Sequence, residues 1–358
     1  MTSDHGLRQT RLFVSGEDGY HTYRIPALVV APGGALLAFC EGRRDGPADS
    51  GAINLLLKRS IDGGRTWGRQ RVVWADGPNT CGNPCPVVDP ATGTIWLLAT
   101  WNAGEDSEKA IIRGASRDTR RPFVTCSRDE GLTWEAPREI TSAVKPPDWT
   151  WYATGPGAGL CLQRGQHAGR LLIPCDHILA GTEDEYSHVI WSDDHGETWH
   201  LGGTVPRPGV DECEAVEAAD GRLLLNMRSY DREQCRCRQM AESADGGQTW
   251  TNQRFVPALP DPDCQGSFRR YSWPEQGGNV VLFSNAADER ERRNMTVRLS
   301  RDEGATWPVA RVLHPGPSAY SCLAVLPSGE IACLYEGGVE HRREAIYLAI
   351  FTLPWLEG

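Results

Sequence analysis

The stretch "SRDEGLTW", residues 127–134, decides how the whole chain is read. It has four close relatives: "SIDGGRTW" (60–67), "SDDHGETW" (192–199), "SADGGQTW" (243–250) and "SRDEGATW" (300–307). All five follow the pattern S-x-D-x-G-x-T-W. Their starts are 67, 65, 51 and 57 residues apart. Each has the chemistry of a hairpin turn. Ser and Asp side chains bond nearby backbone N–H groups, Gly supplies a positive φ, and Thr-Trp begins the returning strand. Short apolar runs lie between them, such as "GRLLIP" (169–174), "GRLLLNMR" (221–228) and "VVLFSN" (280–285). No long segment carries helical periodicity. Repeats of this length signal blades or solenoid units. Radial repetition of four-stranded sheets is the economical way to bury them. The expectation is an all-β protein, a six-bladed β-propeller formed by residues 1–358 as a single domain. Five blades carry a box and one does not. A closing blade would join an N-terminal strand near 11–15 to C-terminal strands near 322–352. The boxes themselves read as structural turns. They lack the further acidic ligands and distant Glu of a calcium loop, and no metal or other cofactor is expected.

Composition agrees. Of 358 residues, 40% are hydrophobic, and Gly (39), Pro (24) and Trp (13) are abundant, as suits many turns and a packed β core. The net charge of −10 argues against a nucleic-acid partner. Of 37 basic residues 34 are arginine, the better fork for carboxylates. No apolar run is long enough to span a membrane. The N-terminus "MTSDHGLRQT" has no apolar signal region, so a cytoplasmic chain is expected as written, or a secreted or periplasmic one if a signal was trimmed. The twelve cysteines do not read as a disulfide framework in a chain this long. Cys40, Cys126 and Cys333 fall in strand-like apolar runs and read as buried thiols.

Several charged residues sit at odds with their strands. In "YHTYRIPALVV" (20–30), Arg24 opens an apolar run, where an unpaired charge would cost several kcal/mol. "FCEGRRDGPADSGAI" (39–53) places Glu41, Arg43, Arg44, Asp45 and Asp49 straight after a strand. "DECEAVEAADGRLLLNMRS" (211–229) puts Glu212 before one strand and Arg228 at the end of the next. "ERERRNMTVRLS" (289–300), "PGPSAYSCLAVL" (315–326) and "IACLYEGG" (331–338) add Arg292, Tyr320 and Glu336.

Taken in order, YRIP, the five boxes, the Arg–Asp segment, the Glu–Arg pair, R-x-N-x-T and PGPSxYS make the chain similar to the exo-α-sialidases of glycoside hydrolase family 33. The resemblance covers nearly the whole chain. It implies hydrolysis of terminal sialic acid from sialylated oligosaccharides, glycoproteins or glycolipids. It implies an arginine triad of Arg24, Arg228 and Arg292, with Arg293 a competing register for the third. Asp49 matches the acid/base, with Asp45 nearby. Tyr320 matches the nucleophile and Glu212 its partner. Arg43 matches a further substrate-site arginine, and Glu336 the carboxylate that braces Arg24. Trp101, Asn102 and Tyr152 are candidates for the glycerol or N-acetyl pocket, with packing as the competing reading of each, and Gln265 is a weaker one. Physical chemistry runs the same way. Sialic acid carries a carboxylate on its anomeric carbon, which arginines grip by charge-assisted bonds, and beside which a neutral tyrosine nucleophile avoids a like charge. The alternatives are a hydrolase of another 2-keto acid sugar (KDN or Kdo) and a non-catalytic propeller that binds sialoglycans.

Overall fold

The computed structural model describes residues 6–358. It is all-β: strands dominate, and the three α-helices are single turns of five residues or fewer, the longest being Glu108–Ile112 and Leu353–Glu357. The strands form four hydrogen-bonded sheets, of eight, five, four and seven strands in chain order, the last taking in the N-terminal strand. Neighbouring strands are antiparallel apart from a single parallel step, Ile53 beside Thr80.

The five boxes are built alike. In box 127–134, Ser127 Oγ donates to Asp129 Oδ1 (2.8 Å) and accepts from the Gly131 N–H (2.8 Å). Asp129 accepts from the Thr133 N–H (2.8 Å) and hydroxyl (2.5 Å). The same four bonds recur around Asp62, Asp194, Asp245 and Asp302. Bonding to the charged form favours it, so the Thr133 hydroxyl and N–H hold the Asp129 carboxyl low, at about 2. At Gly131 φ is +82°, and a Cβ there would meet Leu37 Cδ2 at 2.4 Å. The turn thus demands glycine twice over, for backbone and for packing.

The N-terminal strand Leu7–Val14 pairs with Ala345–Phe351, so the two ends of the chain share one sheet, as expected. The strand Val309–Val325 is 17 residues long and serves two neighbours. Its first part pairs with Arg293–Ser300, its second with Ile331–Gly337. Tyr320 lies at the start of the second part. Buried residues fall into several clusters, the largest centred on Leu36–Cys40 and Leu55–Leu57. Cys40, Cys126 and Cys333 are buried thiols, but Cys235 and Cys237 form a disulfide. This tight pair, with one residue between its members, closes across the bend before the strand Cys237–Ser243 and is no part of a disulfide framework.

Gly131→Ala should lower stability by about 3 kcal/mol, from left-handed strain plus overpacking on Leu37. Gly16→Ala has the same sign of φ (+85°) but open space around it, and should cost only about 1 kcal/mol. Equal denaturant midpoints for the two variants would show that Leu37 yields freely.

Candidate active site

Arg24 is 4% exposed on the strand Thr22–Val30. The strand is broken where the charge enters. Pro26 has no N–H for the ladder, the pairing with Leu36–Arg43 slips between Arg24 and Ala27, and Ile25 takes φ +58°. A β-branched residue in that region is a genuine outlier. Its N–H turns away from the ladder to Glu336 Oε1 (2.8 Å). Arg24 meets the same carboxylate with Nε to Oε1 (3.1 Å) and Nη2 to Oε2 (3.3 Å). Glu336 comes from the strand Ile331–Gly337 and is fully buried. Burial alone would favour a neutral Arg24, but Glu336 and then the Tyr320 and Asp49 sites more than offset it and hold the guanidinium charged.

The third nitrogen of Arg24, Nη1, reaches Asp49 Oδ1 at 3.2 Å. Arg43 Nη1 lies 2.7 Å from the same oxygen, while its other edge is bidentate on Glu41 Oε2 (3.0 and 2.7 Å). Asp49 is 56% exposed by side chain, on the loop after the strand Leu36–Arg43. Partial burial pushes its carboxyl up, but the Arg43 and Arg24 guanidiniums outweigh this and hold it below the usual aspartate range.

Tyr320 stands at the centre. Its hydroxyl donates to Glu212 Oε1 at 2.5 Å. Arg228 Nη1 lies 2.7 Å from Glu212 Oε2 and 3.3 Å from the Tyr320 hydroxyl. The guanidiniums of Arg24 and Arg292 lie 4.8 and 5.7 Å from the centre of the Tyr320 ring. Under the ring, Ile25, Cys264 and Ala319 form a small apolar floor. Burial and the neighbouring Glu212 push the phenol well above its ordinary value, although all three arginines pull it down. Both effects favour the protonated phenol, which donates to the Glu212 carboxyl. The ambiguity between the adjacent arginines resolves in space: Arg292 bonds the Asp263 carbonyl (2.5 Å) and faces Tyr320, whereas Arg293 turns out to Glu291 (3.6 Å).

Some expected residues fall elsewhere. Tyr152, a candidate pocket wall, is wholly buried in the core between Trp149 and His188 (ring centres 6.2 and 5.1 Å), so that assignment is corrected. Alternation along the strand Trp149–Thr154 turns Trp151 the other way, and its ring packs on the Arg120 guanidinium at 4.1 Å. Asn102 is buried too, and its Oδ1 accepts from Arg120 Nη1 (2.7 Å), so it braces an arginine. Trp101 donates to Asp76 (2.7 Å) and stacks on Arg121 (4.4 Å), clear of the cluster. Gln265 bonds the Ser321 backbone through both ends of its amide (2.9 and 3.0 Å) and so steadies the strand that carries Tyr320.

Other residues at the site carried no sequence signal of their own. Asp263, from "DPDC", takes Arg228 Nε and Nη2 on one oxygen, at 2.7 Å each. Asp211 lies 3.5 Å from Arg228 and accepts from the Tyr230 hydroxyl (2.8 Å). Burial, with the added push of Glu212, raises the Asp211 carboxyl despite Arg228. Asp176 is raised as well, by burial and then by Asp211. Asp211 Oδ1 and Asp176 Oδ2 are buried without a hydrogen-bond partner. The upward shift of Asp211 eases the load of three acidic side chains on Arg228. A separate hollow of about 460 Å³ opens at the far ends of the same inner strands, beside Arg269 and Trp273, and touches none of this cluster.

Residues 33–333 match the model for the BNR repeat-like domain, which defines the class. The chain is 40% identical to a sialidase of Micromonospora viridifaciens over 97% of its own length and 54% of that protein's. It is 33% identical to an exo-alpha-sialidase of Aspergillus fumigatus, over 94% of this chain and 86% of the relative. Among solved structures, the Hadza microbial sialidase Hz136 superposes with a TM-score of 0.88 at 31% identity, covering 97% of this chain and 69% of that one. The chain belongs to the sialidase family. It spans about half the length of the Micromonospora relative and 62% of a Bacteroides fragilis one.

Glu336→Ala leaves the buried Arg24 guanidinium with only the half-exposed Asp49 as a partner and should cost about 3 kcal/mol of unfolding free energy. The double variant Arg24→Met/Glu336→Leu should recover most of that loss. A double variant no more stable than Glu336→Ala would mean that the pair's charge is not what matters.

Proposed function

We propose that the chain is an exo-α-sialidase that removes terminal α-linked sialic acid with retention at the anomeric carbon. The observation that carries this reading is the Tyr320 hydroxyl, 2.5 Å from Glu212 and ringed by Arg24, Arg228 and Arg292. Three guanidiniums around one neutral nucleophile suit a substrate whose reacting carbon bears a carboxylate. A carboxylate nucleophile about 4 Å from that group would face a repulsion of about 4 kcal/mol at an effective dielectric near 20. Tyrosine avoids it. Free tyrosine is a poor nucleophile at neutral pH, so Glu212 takes the phenolic proton as the oxygen attacks. Sialidases with a Tyr nucleophile are among the known exceptions to the two-carboxylate glycosidase scheme.

In the first step the Tyr320 oxygen bonds the anomeric carbon, the glycosidic bond breaks, and Asp49 gives its proton to the leaving oxygen. In the second, Asp49 takes a proton from water as its oxygen attacks that carbon, the bond from the carbon to Tyr320 breaks, and the released Tyr320 oxygen recovers its proton from Glu212. Arg43 and Arg24 favour the ionised form of Asp49, so it must gain a proton before it can act as the acid. A substrate carboxylate that neutralises Arg24 loosens one of the two guanidiniums that hold Asp49 low, which favours that gain. Sialylated glycans are the proposed substrates.

The proposed architecture is one domain of six blades. What supports it is the strand pattern. The eight-stranded sheet divides at the parallel step between Ile53 and Thr80. The seven-stranded sheet divides within Val309–Val325, where the register breaks on both sides near Pro317 and Ser318. With the other two sheets this gives six groups of four principal strands, the last closed by Leu7–Val14.

Tyr320→Phe should retain the fold and lose at least about 99% of turnover on 3′-sialyllactose, since no covalent intermediate can form. Proton NMR of wild-type product before mutarotation should show the α anomer first. First release of the β anomer, or near-full activity of Tyr320→Phe, would remove the tyrosine from the reaction.

Asp49→Ala should discriminate between leaving groups. Loss of a general acid costs about 10²- to 10⁴-fold where the leaving group needs a proton. Sialyllactose hydrolysis should fall by that order, while an activated aryl sialoside, whose phenolate departs unaided, should lose far less in the first step. Equal losses on both substrates in single-turnover measurements would make Asp49 structural.

A further inference from the structure

The hairpin between the strands Ile331–Gly337 and Ala345–Phe351 starts two residues after Glu336 and stands beside the catalytic cluster. It carries His341, Arg342 and Arg343 in a chain whose net charge is −10. Its shape is set from within. Glu344 accepts from the backbone N–H groups of Val339 (3.0 Å), Glu340 (2.7 Å) and His341 (2.8 Å). At its base, the Gly338 N–H donates to the Pro317 carbonyl (3.1 Å) and His314 meets the Gly338 carbonyl (2.9 Å). The carboxylate next to the two arginines is therefore committed to the loop's own backbone. Neither Arg342 nor Arg343 forms an ion pair with any carboxylate among the described residues, and the Nε of each is buried without a hydrogen-bond partner.

Each arginine faces a different side of the cluster. Arg342 lines a hollow of about 540 Å³ shared with Arg290, Arg292, Arg293 and His341, in which Glu291 and Glu340 are the only acidic residues. Arg343 lines one of about 610 Å³ shared with Arg11, Thr22 and Pro47, the last on the loop that delivers Asp49. Burial and then the charge of Arg24 act against the Arg343 guanidinium, while Asp49 acts in its favour. Arg342 is opposed by Arg292 and Arg24 in the same way. Two cations are thus held close to Arg24 and Arg292 with no carboxylate ion-paired to either of them among the described residues. An anion from outside would relieve that repulsion.

We infer that this hairpin is a subsite for an anionic leaving group: Arg343, whose hollow reaches the loop of Asp49, binds a carboxylate or sulfate carried by the sugar that departs past Asp49, and the neighbouring Arg342 adds its positive charge. The inference rests on the sialidase reading and adds a substrate class to it. A glycan that ends in two linked sialic acids presents such a carboxylate on its penultimate residue, and a sulfated galactose presents a sulfate. Both groups accept the forked donors of arginine. The two side chains are partly exposed, so the preference should weaken as salt screens it.

The test compares kcat/KM on 3′-sialyllactose, on α2,8-disialyllactose and on 6-sulfated 3′-sialyllactose, for wild type and for Arg342→Gln/Arg343→Gln. At about 0.02 M salt, wild type should favour at least one anionic substrate by about tenfold or more, the scale of one or two charge-assisted bonds. The preference should shrink several-fold at about 0.3 M salt. The double variant should stay within about twofold of wild type on 3′-sialyllactose and lose the preference. Preference for the disialyl substrate alone identifies a carboxylate site, and for the sulfated one alone a sulfate site. Hydrolysis of 3′-sialyllactose with no preference for either anion overturns the subsite and leaves the sialidase reading standing. A preference that survives in the double variant overturns its assignment to this hairpin. Failure to hydrolyse all three substrates overturns the reading on which the inference stands.

Discussion

The buried pair of Arg24 and Glu336 is the contact on which the site depends. A guanidinium 4% exposed at the start of an apolar strand is tolerable only against a carboxylate buried equally well. Bringing the two together has a backbone cost. Ile25 adopts a left-handed conformation that a β-branched residue rarely takes, and the ladder slips by the residues around Pro26. The same distortion gives Glu336 an extra N–H donor and lays Ile25 under the ring of Tyr320. Strain held in place by surrounding structure is common where function fixes geometry. Here it joins the strand of Arg24 to the strand of Glu336 and sets the platform for the tyrosine.

Around that platform the charges are arranged by sign. Arg24 and Arg43 converge on Asp49 and keep it ionised. On the other side, Glu212, Asp263 and Asp211 converge on Arg228. One guanidinium cannot neutralise three carboxylates, and the raised Asp211 is the group that yields. Tyr320 sits on the boundary, bonded to Glu212 and overlooked by arginines. Its proton is held by burial and by Glu212, yet its deprotonated form would be met by three cations. That is the environment a phenol needs if it is to remain neutral at rest and become a nucleophile when substrate arrives.

The boxes do a different job. Their Ser, Asp and Thr side chains satisfy the backbone of the turn locally, and none of them touches the charged cluster. They hold hairpins at one level of the fold, while the arginines, Glu212 and Tyr320 occupy strand starts and ends elsewhere. The division explains why a box motif says little about activity and a great deal about architecture. Most of the residues that converge on Tyr320 share one feature, that they are charged or polar where the local strand is apolar.

That contrast marks what was legible in the sequence. The five turns could be read from eight residues each, because every bond in them spans at most four residues. The pairing of the chain ends was expected from the repeat, which calls for a closing blade that joins the first strand to the last. Arg24, Glu212, Arg228, Tyr320 and Glu336 were visible as ionisable groups misplaced in strands, and their order supplied the family resemblance. Their partners were less visible. Asp263, Asp211 and Arg120 act through contacts with residues far away along the chain, and Tyr152 looked available only because strand alternation was not yet tied to a face. Arg292 and Arg293 are adjacent and chemically identical, so only the register of the strand beside Val309–Val325 could choose between them. Local hydrogen bonding is written in neighbouring residues. The convergence of charges is not, because it depends on which strands lie side by side, and that is decided by the packing of the whole sheet system.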